Sequence, residues 1–424
     1  MGVVTLTAMG QVSKTLSPYS QFGLGVLADQ SQSGNRGMNG LGIGLHDSKS
    51  VNMLNPASYA AVDSLTMVFD MGISGQLTNF EEGGKRLNRK TADFDYATAV
   101  FRVLPKVGVS FGIVPFSNIG YSYYSTEKVG TSTTTATTTY SGSGGFSQAY
   151  LGVGWEVLKG LSVGANISYL WGKYDKTVQI SNSDSYVNTV TEQYSTNVNS
   201  YKLDFGLQYQ QRLNKDNLLT LGAIVGLGHQ LGADADLSIT NTDPQTSVSQ
   251  TSNDSVPDAF SLPLTLGFGA TLCHKNSLTI GADYVLQKWG SLDYPSKSGA
   301  TSASHPLGYQ AVGGLLKDRH KVTLGAEWVP NAMSRRFLNR VHYRLGAYYA
   351  TPYYKIKGQD GPKEMSLSAG FGFPIVNTWN NRSTLNISAQ WVRSSASNFM
   401  TENTFRINIG LTFNERWFAK WKVD

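Results

Sequence analysis

The feature that most constrains this fold is a strict two-residue alternation of apolar and polar residues, clearest between Ala149 and Gly172. A period of two predicts β-strand, because successive side chains of a strand point to opposite faces. Only Leu158, Lys159 and Gly160 separate the two alternating arms, which predicts a tight antiparallel hairpin. A soluble sheet with one buried face has the same pattern, so this hairpin alone leaves lipid and protein core open as its solvent.

The alternation continues almost to the carboxyl end and predicts an all-β chain with about fourteen strands, an even number as bacterial barrels require. No apolar run of about 18 residues exists, so no transmembrane helix is predicted. The net charge of +6 is scattered, which argues against nucleic-acid binding and favours phosphorylated lipid headgroups such as lipopolysaccharide. The alternating segments lie near residues 65–77, 93–103, 107–124, 149–158, 161–172, 203–210, 219–227, 262–270, 278–286, 322–328, 343–349, 367–373, 385–391 and 405–413.

The connections between these segments alternate in length, and this asymmetry favours lipid. Short links follow the even strands, for example residues 104–106 and 213–217, whereas long polar links follow most odd strands, for example residues 126–145, 175–200 and 233–260. Such asymmetry is typical of a Gram-negative outer-membrane barrel with extracellular loops and periplasmic turns and termini. Tryptophan and tyrosine cluster near both predicted rims, as in interfacial girdles. A soluble all-β protein, the alternative, needs neither feature.

The inward face of the predicted strands is rich in glycine, which often marks the close approach of another backbone. Residues 11–64 have no sustained period, so we expect them to fold inside the barrel of residues 65–413 as a plug. Residues 1–10 resemble the end of a secretory signal, with a disordered terminus as the alternative. Residues 414–424 form an aromatic and basic tail, either an interfacial anchor or a docking site.

Six ionisable residues are predicted to face the lumen. We expect them to pair with one another or to bond the plug backbone, since buried charges need partners; a proton relay or substrate clamp is the alternative. The six histidines lie on different elements without ligand spacing, and Cys273 is the single cysteine, so we predict no enzyme, cofactor, metal cluster or disulfide. The predicted lumen charges are Glu156, Asp204, Asp283, Glu327, Arg344 and Arg406.

Pro115 interrupts the third strand eight residues after its preceding turn. A membrane span takes about 9 to 11 residues, and a proline inside it removes a backbone donor and favours a bulge or kink. We therefore predict a local opening in the wall at Val114, Pro115 and Phe116. The alternative is that the third strand ends there, above the membrane.

Five short motifs stand out along the chain: Asn55-Pro56-Ala57, Val114-Pro115-Phe116, Leu161-Ser162-Val163-Gly164, Leu262-Pro263, and Ala282-Asp283-Tyr284 with Trp289. In their order and spacing, these motifs resemble the FadL/TodX outer-membrane transporters of hydrophobic compounds. The resemblance implies a fourteen-stranded barrel, an amino-terminal hatch, capture of long-chain fatty acids or other hydrophobic compounds at the loops, and lateral exit through a kinked third strand. Asn55, Pro56 and Ala57 correspond to the hatch motif, and residues 114–116 correspond to the kink.

Lateral exit would make uptake passive, because an apolar solute gains about 0.8 kcal/mol per methylene on entering lipid. A hydrophobic ligand or detergent is then the expected lumen occupant. Some FadL-like barrels are instead structural subunits of outer-membrane assembly or secretion machines. That second hypothesis predicts other outer-membrane proteins or lipoproteins as partners. A general diffusion porin is the third hypothesis, and a plug argues against it.

Overall fold

The computed structural model describes residues 17–64, 66–129, 134–376, 382–397 and 399–416. Fourteen antiparallel strands form a closed ring, in which each strand pairs with its neighbours in sequence and the first pairs with the last. This confirms the predicted fourteen-stranded β-barrel. The strands are β1 (Thr66–Glu82), β2 (Lys85–Leu104), β3 (Val107–Lys128), β4 (Thr135–Leu158), β5 (Leu161–Asn182), β6 (Thr189–Arg212), β7 (Asn217–Gly226), β8 (Thr265–His274), β9 (Leu278–Gln287), β10 (Arg319–Trp328), β11 (His342–Ala350), β12 (Lys363–Val376), β13 (Arg382–Ser395) and β14 (Thr401–Arg416).

The remaining elements are short. Two α-helical turns are α1 (Ser33–Arg36) and α2 (Phe337–Arg340), and two 3-10 turns span Pro18–Gln21 and Pro56–Ala61. None of the helices in the described ranges is long and apolar enough to span a membrane. The minor strand Val26–Leu27 pairs with β3, and Ala235–Thr242 pairs with β6 on one side and with Ser249–Val256 on the other. Three further two-stranded pairs are His229–Gln230 with Ser261–Leu262, Tyr294–Lys297 with Tyr309–Val312, and Lys355–Ile356 with Gln359–Asp360.

The two faces of the wall have opposite polarity. Apolar side chains on the outer face are exposed, as at Ile280 (52%) and Ile409 (42%), whereas inward polar side chains such as Asn408 and Ser388 are buried. A soluble protein would bury the apolar face, and it rarely exposes a continuous apolar surface of this size. The outer face is therefore solvated by lipid, and the chain is a transmembrane β-barrel.

The strands from β1 to β6 are longer than a membrane span requires. They contain 17 to 24 residues, whereas β7 contains 10. The predicted long loops at residues 126–145 and 175–200 are therefore largely wrong, because most of those residues extend the hairpins. Both faces are polar there, which hides the period of two, while threonine still favours extended backbone.

Several predicted features lie outside the described residues. They are the signal-like residues 1–10, the first part of the predicted plug at residues 11–16, and the tail from residue 417 onward, with Trp417, Phe418 and Trp421. β14 continues to Arg416 and so includes the first three residues assigned to the tail.

Candidate functional site

The amino-terminal segment, residues 17–64, contacts the inner face on several sides of the ring. A Cβ added to Gly164 of β5 would lie 2.3 Å from the carbonyl carbon of Pro56, and one on Gly346 of β11 would lie 2.3 Å from that of Met38. These distances are shorter than any real Cβ contact, so only glycine lets the two backbones approach this closely.

Asn55, Pro56 and Ala57 tie this segment to itself and to the wall. The buried Asn55 amide donates to the carbonyl of Ile43 (2.8 Å) and to that of Leu207 on β6 (3.2 Å). Its side-chain oxygen accepts from the Ala57 N–H (3.1 Å) and so caps the 3-10 turn that Pro56 begins.

Three of the six predicted lumen charges contact this segment or each other. The Asp283 carboxylate accepts from the backbone N–H groups of Gly42 (2.7 Å) and Ile43 (2.9 Å). Glu327 and Arg344 form an ion pair, and Arg344 also donates to the Asn386 side chain (2.6 Å). These contacts satisfy polar groups that would otherwise be costly to bury.

The other three predicted charges bond within the wall. Asp204 pairs with Lys202 on the same strand. The Arg406 guanidinium donates to the side chain of Gln76 on β1 (2.8 and 3.1 Å). At the end of β4, Glu156 pairs with Lys106 (3.4 Å) and accepts from the Gly160 N–H (3.0 Å).

Sequence reasoning missed a polar cluster between α1 and the strands β1, β2 and β14. Arg36 forms an ion pair of 2.7 Å with Asp95 and donates to Asn408 (3.1 Å). The Ser33 hydroxyl donates to the Asp70 carboxylate (2.6 Å). Asp70 could have revealed this cluster, because it is an ionisable residue between the outward apolar residues Phe69 and Met71 of an alternating strand and must therefore point inward.

The wall is incomplete between β2 and β3. Their pairing ends at Ala97 and Ile113, although β3 continues beside β4 to Lys128 with a register shift between Pro115 and Ser117. The predicted kink site is thus a bulge within a continuing strand. We refer to this unpaired region as the β2–β3 gap.

The free edge of β3 at this gap is covered by the amino-terminal segment. Val26 and Leu27 pair with Asn118 and Ser117, and the Ala28 N–H donates to the Phe116 carbonyl (2.9 Å). Gln30 donates to the Pro115 carbonyl (2.6 Å) and accepts from Gln148. These bonds satisfy backbone groups that an open edge would expose. Val114 is buried, in contact with the core near Tyr59.

A cavity of about 340 Å³ lies between the gap and the segment. Phe94, Pro115 and Phe116 line it at the gap, but much of the remaining lining is charged or polar. Burial alone would raise the pKa of Asp29, yet the positive charges of Arg36 and Lys321 lower it below its ordinary value. The charged lining residues include Asp29, Arg36, Arg319, Lys321, Glu364 and Arg406.

The long-loop end of the lumen is covered by an aromatic cap, formed by Trp289, Tyr294, Tyr353 and Tyr354. The hydroxyl of Tyr294 donates to the carbonyl of Gly23 (2.8 Å), that of Tyr353 to Gly25, and that of Tyr354 to Tyr19 (3.2 Å). Trp289, Tyr353 and Tyr354 are at least 94% buried. The cap thus packs on the amino-terminal segment at this end of the lumen.

The described residues contain no group of three or more His, Cys, Asp or Glu side chains that could hold a metal ion. His46 contacts the Gln208 side chain (2.7 Å), and burial lowers its pKa. This histidine is therefore hydrogen-bonded to β6.

The BamG family model matches residues 1–424, the whole chain. The chain belongs to the BamG family. Among solved structures, this BamG-family chain is similar to the Ralstonia pickettii toluene transporter TbuX, with 15% identity, a TM-score of 0.61 and coverage of 92% of this chain and 99% of TbuX. It is also similar to a Pseudomonas aeruginosa FadL homologue, with 10% identity, a TM-score of 0.62 and coverage of 92% of this chain and 99% of the homologue. The P. putida toluene transporter TodX matches with 12% identity, a TM-score of 0.59 and coverage of 93% of this chain and 100% of TodX.

At these identities the structural likeness shows a FadL-like barrel fold for the BamG-family chain. The comparison with curated proteins gives no match. TbuX and TodX are toluene transporters and the third structure is a FadL homologue, so none of the three is named as an enzyme.

Proposed function

We propose that this barrel is a non-transporting structural subunit of a larger outer-membrane assembly or secretion complex. The observation that carries the proposal is the aromatic cap, which three tyrosine hydroxyls fasten to the amino-terminal segment. A solute entering from the long-loop side would have to break these bonds and separate a buried aromatic cluster. We place the barrel in a Gram-negative outer membrane with this end outside and the short turns in the periplasm.

The cavity beneath the cap supports the same proposal. An apolar solute would have to displace the hydration of Asp29, Lys321 and neighbouring charges without offering hydrogen bonds in return. The match of the whole chain to the BamG family also supports a role different from that of the transporters. The identity of 10 to 15% between this chain and those structures is too low to infer that it shares their substrates.

The test is isolation of the tagged full chain from its native membrane in mild detergent, followed by sizing and protein identification. We expect a particle far larger than the 46.0 kDa chain, with outer-membrane proteins or lipoproteins in fixed ratio. A lone barrel in its micelle, together with wild-type secretion and assembly in a deletion strain, would contradict the proposal.

The second candidate is passive uptake of long-chain fatty acids or other hydrophobic compounds, with lateral exit through β3. The β2–β3 gap favours it, because Phe94 and Phe116 line the cavity beside lipid. Residues 55–57 would then belong to a hatch that moves, and residues 114–116 to the exit.

A reversible cross-link separates the two candidates. In a Cys273→Ser background, Leu27→Cys with Ser117→Cys joins a registered pair whose side chains lie about 5 Å apart. If the barrel transports, oxidation should stop uptake of a fluorescent fatty acid in cells and reduction should restore it. If it is a structural subunit, uptake should equal that of the deletion strain in both states. Leu27→Cys alone is the control.

A further inference from the structure

The link between β10 and β11, residues 329–341, differs from the other described links at the short-turn rim. It contains α2 and is longer than the turns after β2, β4, β6 and β8. Its central apolar side chains are exposed, with Met333 at 84%, Phe337 at 47% and Leu338 at 67%, whereas Val329 and Val341 at its two ends are buried. Three arginines, Arg335, Arg336 and Arg340, lie among them.

This link folds against the outer wall of the barrel. The Phe337 ring lies parallel to that of Phe373 on β12, with centroids 6.3 Å apart. The Tyr343 hydroxyl donates to the Leu338 carbonyl (3.1 Å). Phe373 stacks in turn on Phe371, which is 46% exposed on the lipid-facing side. The link therefore continues the lipid-facing aromatic surface at its rim.

The arginines of the link have no acidic partner among the described residues. The Arg340 guanidinium lies over the Phe337 ring at 5.9 Å, and its buried Nε lacks a hydrogen-bond partner in the described structure. Glu327, near the end of β10 that leads into the link, is already paired with Arg344 and His342. An oxyanion at the Arg340 guanidinium would neutralise this unpaired charge.

We propose that residues 331–340 form an interfacial element that binds the phosphate of an anionic phospholipid such as phosphatidylglycerol. Met333 and Leu338 enter the acyl region, and the three arginines contact the headgroup, as in amphipathic segments that lie in the membrane plane. Continuity with the lipid-facing wall selects lipid over a protein partner. The inference requires only a barrel in a bilayer, so it stands or falls independently of the proposed function.

The first test measures lipid retention by the folded full-length barrel in nanodiscs of phosphatidylcholine with or without phosphatidylglycerol, using native mass spectrometry. We expect the variant R335Q/R336Q/R340Q to lose phosphatidylglycerol binding by about tenfold or more. The control, K159Q/K215Q/K275Q, removes equal charge from exposed turns on the same rim and should retain it. Equal loss in both variants would overturn the proposal.

The second test reports on position and does not depend on charge. In a Cys273→Ser background, a fluorophore on Leu338→Cys should be quenched by lipids brominated on their acyl chains, whereas one on Lys275→Cys should not. The heat-modifiable gel mobility of each variant verifies that the barrel is folded. An unquenched label at residue 338 would place the link in water and overturn the proposal.

Discussion

At the scale of single residues, glycine marks where the amino-terminal segment touches the wall. Gly206 of β6 leaves only 2.1 Å between a built Cβ and the Asn55 side-chain oxygen, whereas Gly75 of β1 has nothing within 4 Å. Glycine weakens a strand, so its use on the inner face must be offset by this contact. The side chains that fasten the segment are equally local, with Asp283 as the clearest example.

Gly164→Ala should loosen the amino-terminal segment without opening the ring. The new methyl would lie 2.3 Å from the backbone of Pro56, and overpacking of this kind costs about 1 to 3 kcal/mol. Hydrogen exchange of residues 55–60 should therefore quicken, while the heat-modifiable gel mobility of the barrel persists. Gly75→Ala adds the same methyl where space is open and should exchange like the wild type. Identical exchange in both variants would show that Gly164 is not a contact point.

Asp283→Ala should release the segment at a second place. It leaves the N–H groups of Gly42 and Ile43 without their acceptor, and an unsatisfied buried donor costs about 1 to 3 kcal/mol. We expect exchange at these two amides to rise more than elsewhere in the segment. Asp204→Ala removes a carboxylate that pairs with Lys202 on the same strand and is the matched control. A larger effect from the control would contradict this assignment.

At the scale of elements, β3 is a strand with one incomplete edge, which the protein's own amino-terminal segment covers. Ala28→Pro removes the donor to the Phe116 carbonyl, whereas Ala28→Ser keeps it. We expect the proline variant to lose about 1.4 kcal/mol of local stability at this edge. That loss corresponds to about tenfold faster hydrogen exchange at amides 117–120. The serine variant should remain protected. Equal protection in both would mean that β3 does not depend on this contact.

The elements also show what the sequence could predict. Alternation located the fourteen strands, and Pro115 marked the bulge, because each is a local pattern. The sequence did not predict residues 135–148 of β4 and 173–182 of β5 as strand, because both faces of these parts are polar. Val26–Leu27 is too short to show a period. The Arg36–Asp95 pair joins distant positions, and a single sequence gives no measure of such pairing.

At the scale of the whole molecule, the barrel is strongly asymmetric along its axis. The long strands β3 to β6 and the hairpin of residues 235–256 extend one end, where the aromatic cap also lies. The other end has short turns and the arginine-bearing link before β11. This asymmetry determines which surfaces each compartment meets, so the orientation in the membrane decides which partners the barrel can contact.

The expected orientation can be tested with single cysteines in a Cys273→Ser background. Ala303→Cys lies in an exposed long loop, and Lys215→Cys lies in an exposed short turn. Because barrels of this class place long loops outside, a membrane-impermeant maleimide should label residue 303 in intact cells. It should label residue 215 only after the outer membrane is permeabilised. The reverse pattern would invert the orientation and place the aromatic cap in the periplasm, where it could not exclude extracellular solutes.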